Sequence, residues 1–334
     1  MNHPGQSPTR VFLTGAGGFV GSHVLRELLA AGYDVTALQH SRHPEASKGA
    51  GHNLRIVQGD LEDVGAFAKT LDGCRYVVHC AALYSFAPPD RPRMHRVNVA
   101  GTASLAEAAR VAGVERFVLT SSSATLGPVR GNRVRDENDW APDGASEGYH
   151  HSKLEQERAA FAGRVPAIAL LPTAPVGPGD WKPTPTGKMI LDFARGKMFS
   201  KPPRGGLNLV PVEDVARAHV AALTVGTPGE RYVLGGENLS LDAVWELLSE
   251  VTSQPMPRFR APVALALAIA YADELRCRVQ PRAVPFVPLE GVRMSVDRMY
   301  ADASKAQREL GFNAGSVRDA LTRSVEWYRA NGQL

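Results

Sequence analysis

The amino-acid order predicts an α/β chain: a doubly wound parallel sheet with helices on both faces, followed by a smaller mixed α/β lobe. Three observations predict it. Short apolar runs alternate with segments of helical apolar spacing through about residue 172. A glycine-rich turn joins the first such run to the first helix. Beyond it all, the alternation stops at "PTAPVGPGDWKPTPTG", too dense in Pro and Gly to be anything but largely loop.

The elements follow in order. "RVFLTG" is an apolar run ending in Gly and reads as a strand buried on both faces. "FVGSHVLRELLAAG" has helical apolar spacing and a terminal Gly. "YDVTALQ" and "NLRIVQGD" are the next strands, "VGAFAKTLDG" a short helix, "RYVVHCAA" a strand. The long "RMHRVNVAGTASLAEAARVAG" is a helix, "ERFVLTSSS" a strand, "EGYHHSKLEQERAAFAG" a helix and "VPAIALLP" a strand. This order implies a Rossmann-type unit over residues 1–175, with part of 207–235 returning to it, and a substrate lobe over 176–334.

Composition narrows the function classes. The hydrophobic fraction is 44% and the charged fraction 22%, ordinary for a soluble globular protein, and 334 residues suffice for two lobes. A net charge of +4 without a Lys/Arg run argues against nucleic acid as partner. Cys74, Cys80 and Cys277 have neither metal-ligand spacing nor a disulfide framework, so no metal is expected and a reducing, cytoplasmic setting is. "MNHPGQSPTR" lacks an apolar targeting core. The most lipid-like stretch, "PVALALAIAYA" at residues 262–272, stops at Asp273 and Glu274, too short for an integral membrane segment. A buried or interface helix is the preferred reading there, a membrane-surface contact the alternative.

"TGAGGFVG" places Gly15, Gly18 and Gly21 at G-x-x-G-x-x-G spacing, with Gly17 besides. Glycine permits the tight strand-to-helix turn and lets backbone N–H groups approach a pyrophosphate, and the helix N-terminus adds its positive dipole end. The second strand ends "ALQHSRHP" without an acid to meet a ribose 2′-hydroxyl. His40, Ser41 and Arg42 stand there instead, and Arg42 suits a 2′-phosphate. NADPH is therefore expected over NADH, with NAD as the alternative. Asp60, in "GDLED" after the third strand, is placed to accept from the adenine amino group.

Tyr149 and Lys153 lie one helical turn apart on the helix after the fifth strand, so their side chains share a face. That strand runs out into Ser121, Ser122, Ser123 and Thr125 at the carboxyl edge, where open α/β sheets bind ligands. A phenol, an ammonium and a hydroxyl converging there suit carbonyl reduction. Hydride goes to carbon, and the developing alkoxide needs a proton. A nearby ammonium brings the phenol's ordinarily high pKa toward working pH. Tyr149 is then the proton carrier, Lys153 its electrostatic partner, and a serine hydroxyl the orienting group.

"TGAGGFVG", "GDLED", "HCAA", "NVAGT", "SSSATLG" and "YHHSK", in this order, resemble the extended short-chain dehydrogenase/reductase family, and "GLNLVPVEDVARAH" and "DASKAQRELGF" carry the likeness to the C-terminal part. "WKPTPTGKMI", "GLNLVPVEDVA" and "GERYVLGGENLSL" resemble its hopanoid-associated sugar epimerase branch, itself similar to dihydroflavonol reductases. The resemblance implies that Ser123, rather than Ser121 or Ser122, is the catalytic hydroxyl, with Thr125 in reserve. It implies that Asn98 anchors the active-site helix, and that Phe19, Val20, Leu61, Ala81, Ala82, Asn98 and Pro172 join the glycines, Tyr149 and Lys153 along the cofactor. It also implies a homodimer through the two long helices beside the site.

Three functions compete: an NADPH-dependent reductase of a small carbonyl compound, a nucleotide-sugar epimerase that retains its NAD(P), and a non-enzymatic redox sensor. The sensor leaves Ser123, Tyr149 and Lys153 unexplained. A dehydratase would resemble members with an acid pair where Ala124 and Thr125 stand. Epimerases resemble NAD-binding members with an acid after the second strand, and "LLPTAPVGP" lacks the Asn of nucleotide-sugar members. The reductase is favoured. Tyr84, Phe86, Trp181 and Met189, with Leu83 and Phe193 nearby, suit an apolar substrate or, equally, simple packing. Asn208 is a polar group expected near the cleft, Asp214 a helix cap and His219 a packed histidine.

Overall fold

The computed structural model describes residues 8–40, 52–127, 133–144, 148–280 and 289–334. The strands are β1 (Arg10–Thr14), β2 (Asp34–Gln39), β3 (Leu54–Gln58), β4 (Tyr76–His79), β5 (Arg116–Thr120), β6 (Ala167–Pro172), β7 (Ala174–Val176), β8 (Gly206–Pro211), β9 (Arg231–Leu234), β10 (Glu237–Ser240) and β11 (Arg298–Met299). The helices are α1 (Phe19–Ala30), α2 (Arg91–Met94), α3 (Gly101–Val111), α4 (Tyr149–Ala162), α5 (Pro185–Ala194), α6 (Val212–Ala221), α7 (Leu241–Thr252), α8 (Val263–Val279), α9 (Leu289–Val296), α10 (Ser304–Leu310) and α11 (Val317–Ala330).

Seven strands form a parallel sheet in the order β3-β2-β1-β4-β5-β6-β9. The run read as a two-face-buried strand, β1, is buried from Val11 to Thr14, and β4, β6 and β9 are buried along their whole length. One face packs Val24 and Leu28 of α1 and Val215 and Ala218 of α6 against Val11, Leu13, Val78 and Val118. The other packs Leu105 and Ala109 of α3 and Ala160 of α4 against Phe12, Val77, Phe117 and Leu119. Strand order reverses between β1 and β4, so a crevice opens at their carboxyl ends.

The second sheet is built on β8. β10 pairs antiparallel on one side; β11 and β7 pair parallel along the other. Ile190, Phe193, Trp245, Leu248, Leu321 and Tyr328 from α5, α7 and α11 form its core. β9 and α6 lie with the large sheet, and the chain comes back once more at α10, where Ala306, Leu310 and Phe312 enter the large-sheet core.

Two expectations need correction. "VGAFAKTLDG" is not one helix but falls on two 3-10 turns, Leu61–Ala66 and Ala68–Leu71, separated at Phe67, whose backbone (φ −121°, ψ −2°) leaves the helical range. The stretch in α8 is not a buried helix. Only Ala270, Asp273 and Cys277 of α8 are buried, while Leu265, Ile269, Tyr271, Leu275 and Val279 face solvent. No helix among the described residues is long and apolar enough to cross a membrane.

Candidate active site at the carboxyl edge of the large sheet

The glycine turn is packed so closely that side chains have no room. A Cβ on Gly15, whose φ is +75°, would sit 2.6 Å from the Ala81 N, and one on Gly21 would sit 2.1 Å from the Gly15 O. Gly18 N donates to Gly15 O at 2.9 Å and closes the turn. α1 then starts at Phe19 with no side-chain cap and no acid in its first turn. Gly17 and Gly18 stay accessible in front of it, and Phe19 and Val20 are half-buried. Backbone donors without a capping carboxylate, in a cradle that any Cβ would fill, fit a pyrophosphate.

At the ribose side, His40 closes β2 and its Nδ1 lies 3.3 Å from Asp60 Oδ2. Asp60 Oδ1 also accepts from Glu62 N at 3.0 Å and so caps the first 3-10 turn. Leu61 is buried under α3, its carbonyl 2.8 Å from where a Gly101 Cβ would be. Ser41 and Arg42 lie outside the described residues. Ala81 and Ala82 follow β4; Ala81 N donates to Thr14 Oγ1 at 3.2 Å, which keeps this loop against the glycine turn. Pro172 closes β6 opposite Leu234, at the same carboxyl edge.

The three consecutive serines separate by their partners. Ser121 Oγ donates to the buried Glu157. Ser122 Oγ accepts from Ala124 N at 3.1 Å and starts the turn Ser123–Thr125. The Ser123 hydroxyl has no hydrogen-bond partner among the described residues, although the residue is 8% exposed.

α4 begins abruptly at Tyr149 because Gly148 takes φ +86°, a conformation other residues avoid. Its first turn is tied down from behind. Asn98 sits in a π-helical turn, His95–Ala100, between α2 and α3. It is fully buried, accepts from Leu83 N at 2.7 Å, and donates to Leu83 O at 2.9 Å and Ser152 Oγ at 3.1 Å. Ser152 Oγ in turn donates to Tyr149 O at 2.8 Å. The Tyr149 ring meets the Tyr84 ring at 4.4 Å, and Tyr84 meets Phe86 at 5.1 Å, both edge-on.

Lys153 is 2% exposed. Its ammonium donates to Thr120 O at 2.8 Å and to Gln156 Oε1 at 2.5 Å. Burial pushes its pKa from 10.5 down to about 8, with Glu157 and Cys80 opposing. Gln156 Nε2 continues to Thr102 Oγ1 at 3.1 Å, Thr102 bonds His79 Nε2 at 2.8 Å, and His79 Nδ1 bonds Thr14 Oγ1 at 2.7 Å. A buried polar chain thus joins the lysine to the residue before Gly15. Burial, with the Lys153 charge second, holds the His79 pKa down at about 3, so this imidazole is neutral. On the other side Thr120 Oγ1 bonds His219 Nε2 at 2.7 Å, and His219 Nδ1 donates to Val215 O at 2.7 Å. His219 is packed, as its place on α6 suggested, and burial lowers its pKa to about 4.

Beneath α4 lies an ion pair that nothing in the sequence announced. Arg231 Nε donates to Glu157 Oε1 at 2.5 Å, with both side chains almost completely buried. The same guanidinium donates to Glu137 O at 2.6 Å and Thr125 Oγ1 at 2.8 Å, and lies over the Trp140 ring at 3.6 Å. Glu157 was legible in hindsight, one turn beyond Lys153 on the same face; an Arg opening a buried strand carries no such signal. Gln156, His79, Thr14 and Thr102 were likewise passed over. A lone polar residue in "RYVVHC" was the available hint that something must satisfy it.

Two expected substrate contacts, Thr125 and Asn208, are buried with their polar groups taken up by the fold. Thr125 is fully buried: it donates to Ser122 O and accepts from Arg231. Asn208 is 2% exposed and saturated by Thr173, Gly236, Asn238 and Ala301. It ties β8 to β10 rather than facing a ligand. Trp181 packs edge-on against Trp327 at 4.7 Å, and Met189 joins the small-lobe core with Phe193. Phe193 is buried, while Trp181 and Met189 are half-buried. Asn98, placed along the cofactor, spends its amide on Leu83 and Ser152 and so stands behind the crevice. Asp214 does not cap α6, whose N-cap is Pro211; its carboxylate accepts from Gly315 N at 2.7 Å and pairs with Arg217.

Residues 11–235 match the model of the NAD dependent epimerase/dehydratase family. A putative dihydroflavonol 4-reductase of Synechocystis sp. is 41% identical, covering 97% of this chain and 95% of its own length. Sterol demethylase protein B of Methylococcus capsulatus is 33% identical, covering 96% of this chain and 99% of its own. The crystal structure of gox2253 superposes with a TM-score of 0.82 at 36% identity, covering 97% of this chain and 99% of that one. With its glycine cradle, parallel sheet and motif order, the chain belongs to the NAD-dependent epimerase/dehydratase family, of the extended short-chain dehydrogenase/reductase type, and is an NAD(P)-dependent oxidoreductase.

Proposed function

We propose that this enzyme reduces the ketone or aldehyde carbonyl of a small apolar or aromatic compound, with NADPH as the preferred reductant. One observation supports the substrate class: the Tyr149 ring packs against the Tyr84 ring, which in turn packs against Phe86, so the phenol sits at the end of a row of aromatic rings. Such a row suits a flat or prenylated compound better than a nucleoside-diphosphate sugar. The 41% relative named as a dihydroflavonol 4-reductase supports the same direction.

The bound dinucleotide supplies the hydride. Ser123, the serine whose hydroxyl is not spent on the fold, donates to the carbonyl oxygen and orients it. Tyr149 gives its phenolic proton to the alkoxide as hydride reaches carbon. Lys153 stays charged below about pH 8 and stabilises the phenolate left behind. Asn98 and Ser152 hold the first turn of α4, so Tyr149 cannot drift from the hydride path. The preference for NADPH rests on the acid-free end of β2 and on Arg42.

The test is a panel of aromatic and prenylated ketones and of nucleotide sugars, with NADPH and NADH, followed by absorbance of the reduced cofactor. Stoichiometric consumption of NADPH with a ketone is expected, and Arg42→Ala should raise the KM for NADPH more than for NADH. Inversion of a sugar without net loss of reduced cofactor would overturn the reading in favour of an epimerase.

A further inference from the structure

We propose that the face of the small lobe built from α8 and the loops around Phe199 and Phe259 docks on an anionic lipid bilayer. The buried residues of α8, Ala270, Asp273 and Cys277, share one side. At about 100° per residue, the opposite side carries Tyr271, Leu275, Val279 and Leu265 with alanines between them, an apolar arc of about 120°; Arg276 stands between Leu265 and Ile269 at its margin. Leu275 is 63% and Val279 75% exposed. Single exposed apolar residues are ordinary, but a whole helix face is not.

The N-terminal end of α8 continues into two exposed rings. Lys201 N donates to Phe259 O at 2.7 Å and Ala261 N to Ser200 Oγ at 2.8 Å, which holds these two stretches side by side. Phe199 is 79% and Phe259 61% exposed. Arg260 is tied to Asp242, and Arg195 donates to Gln333 O; the other cations of residues 195–204 and 254–262 are Lys197, Lys201, Arg204 and Arg258, and neither stretch contains an acid. The acids of α8, Asp273 and Glu274, are paired with Arg276 and Arg278. Exposed rings set among cations at the end of an apolar helix face match a headgroup region, where the rings enter the acyl boundary and the cations meet phosphate. A second copy of this chain would bring the same cations to a two-fold contact, like against like. An anionic bilayer complements both the charge and the apolar arc.

α8 also touches the turn Pro88–Asp90, just after Phe86, so the helix neighbours the segment that carries the aromatic rings beside Tyr149. Delivery of an apolar substrate from the bilayer rests on the function proposed above; docking itself does not.

The full chain is sedimented with vesicles of phosphatidylcholine alone and of phosphatidylcholine mixed with phosphatidylglycerol. Binding to the mixed vesicles should be at least about tenfold stronger and should fade at high salt. The double variant Phe199→Ser, Phe259→Ser, and separately Leu275→Glu, should each weaken it at least about tenfold. These positions are exposed, so both variants should keep the parent's circular dichroism and its turnover of a water-soluble carbonyl compound. If the parent reduces no carbonyl compound yet sediments as expected, the function fails and docking stands. Equal binding to both vesicles, binding to neither, or a dimer in solution that the same substitutions dissolve would overturn the proposal.

Discussion

The carboxyl edge of the large sheet and the middle strand of the small one both present polar side chains near the crevice, and they use them oppositely. On β8, Asn208 spends its amide on Thr173, Gly236, Asn238 and Ala301. At the end of β5, Ser121 and Ser122 are spent in the same way, while Ser123 is not. Nearness to a cleft does not mark a chemical group; remaining hydrogen-bonding capacity does. A buried polar atom must be paired, and once the fold pairs it, nothing is left for a substrate.

The largest effect that sharpens this contrast is expected at the phenol. Tyr149→Phe should lower kcat by about 10² to 10⁴-fold with dinucleotide affinity intact, measured by steady-state kinetics and fluorescence titration. If turnover survived, the proton would come from elsewhere. Next is the buried pair under α4. Glu157→Ala leaves the Arg231 charge buried and alone and should cost about 3–5 kcal/mol in urea unfolding, whereas replacing both by apolar residues should cost far less. Ser123→Ala should cut kcat by about 10²-fold with an unchanged unfolding midpoint. Asn208→Ala should do the reverse, removing about 1–3 kcal/mol of stability while leaving the KM for the carbonyl compound in place. If Asn208→Ala raised that KM instead, the contrast would break.

The smallest effect separates activity from stability by pH. The Lys153 pKa in the fold is about 8, below its ordinary 10.5. Between these values the unfolded chain holds the proton that the folded chain has lost. This group therefore makes stability rise as pH climbs through that window. Activity should fall over the same window as the ammonium disappears. Urea midpoints and kcat/KM from below pH 8 upward should diverge in the parent, and Lys153→Met should remove the lysine's part of the stability slope.

The alternation of strands and helices, the glycine turn and the helical turn between Tyr149 and Lys153 were all legible because each depends on neighbours in the chain. Backbone periodicity, the close approach of Gly21 to Gly15 and a four-residue spacing are local properties. The third-strand side was less legible: Phe67 breaks an expected helix by its own backbone, which apolar spacing does not report.

What the amino-acid order determined by itself was therefore the architecture, the glycine turn and the spacing that sets Tyr149 and Lys153 one turn apart on α4. Which hydroxyl is spared, that Asn208 and Thr125 are consumed, that Arg231 neutralises Glu157 and that α8 bares an apolar face were decided only by tertiary contacts. The partners involved are separated by 35 residues for Thr173 and Asn208, 74 for Arg231 and Glu157 and 106 for Arg231 and Thr125. Hydrogen bonds saturate: a group's availability depends on everything folded around it, and no local pattern records that sum.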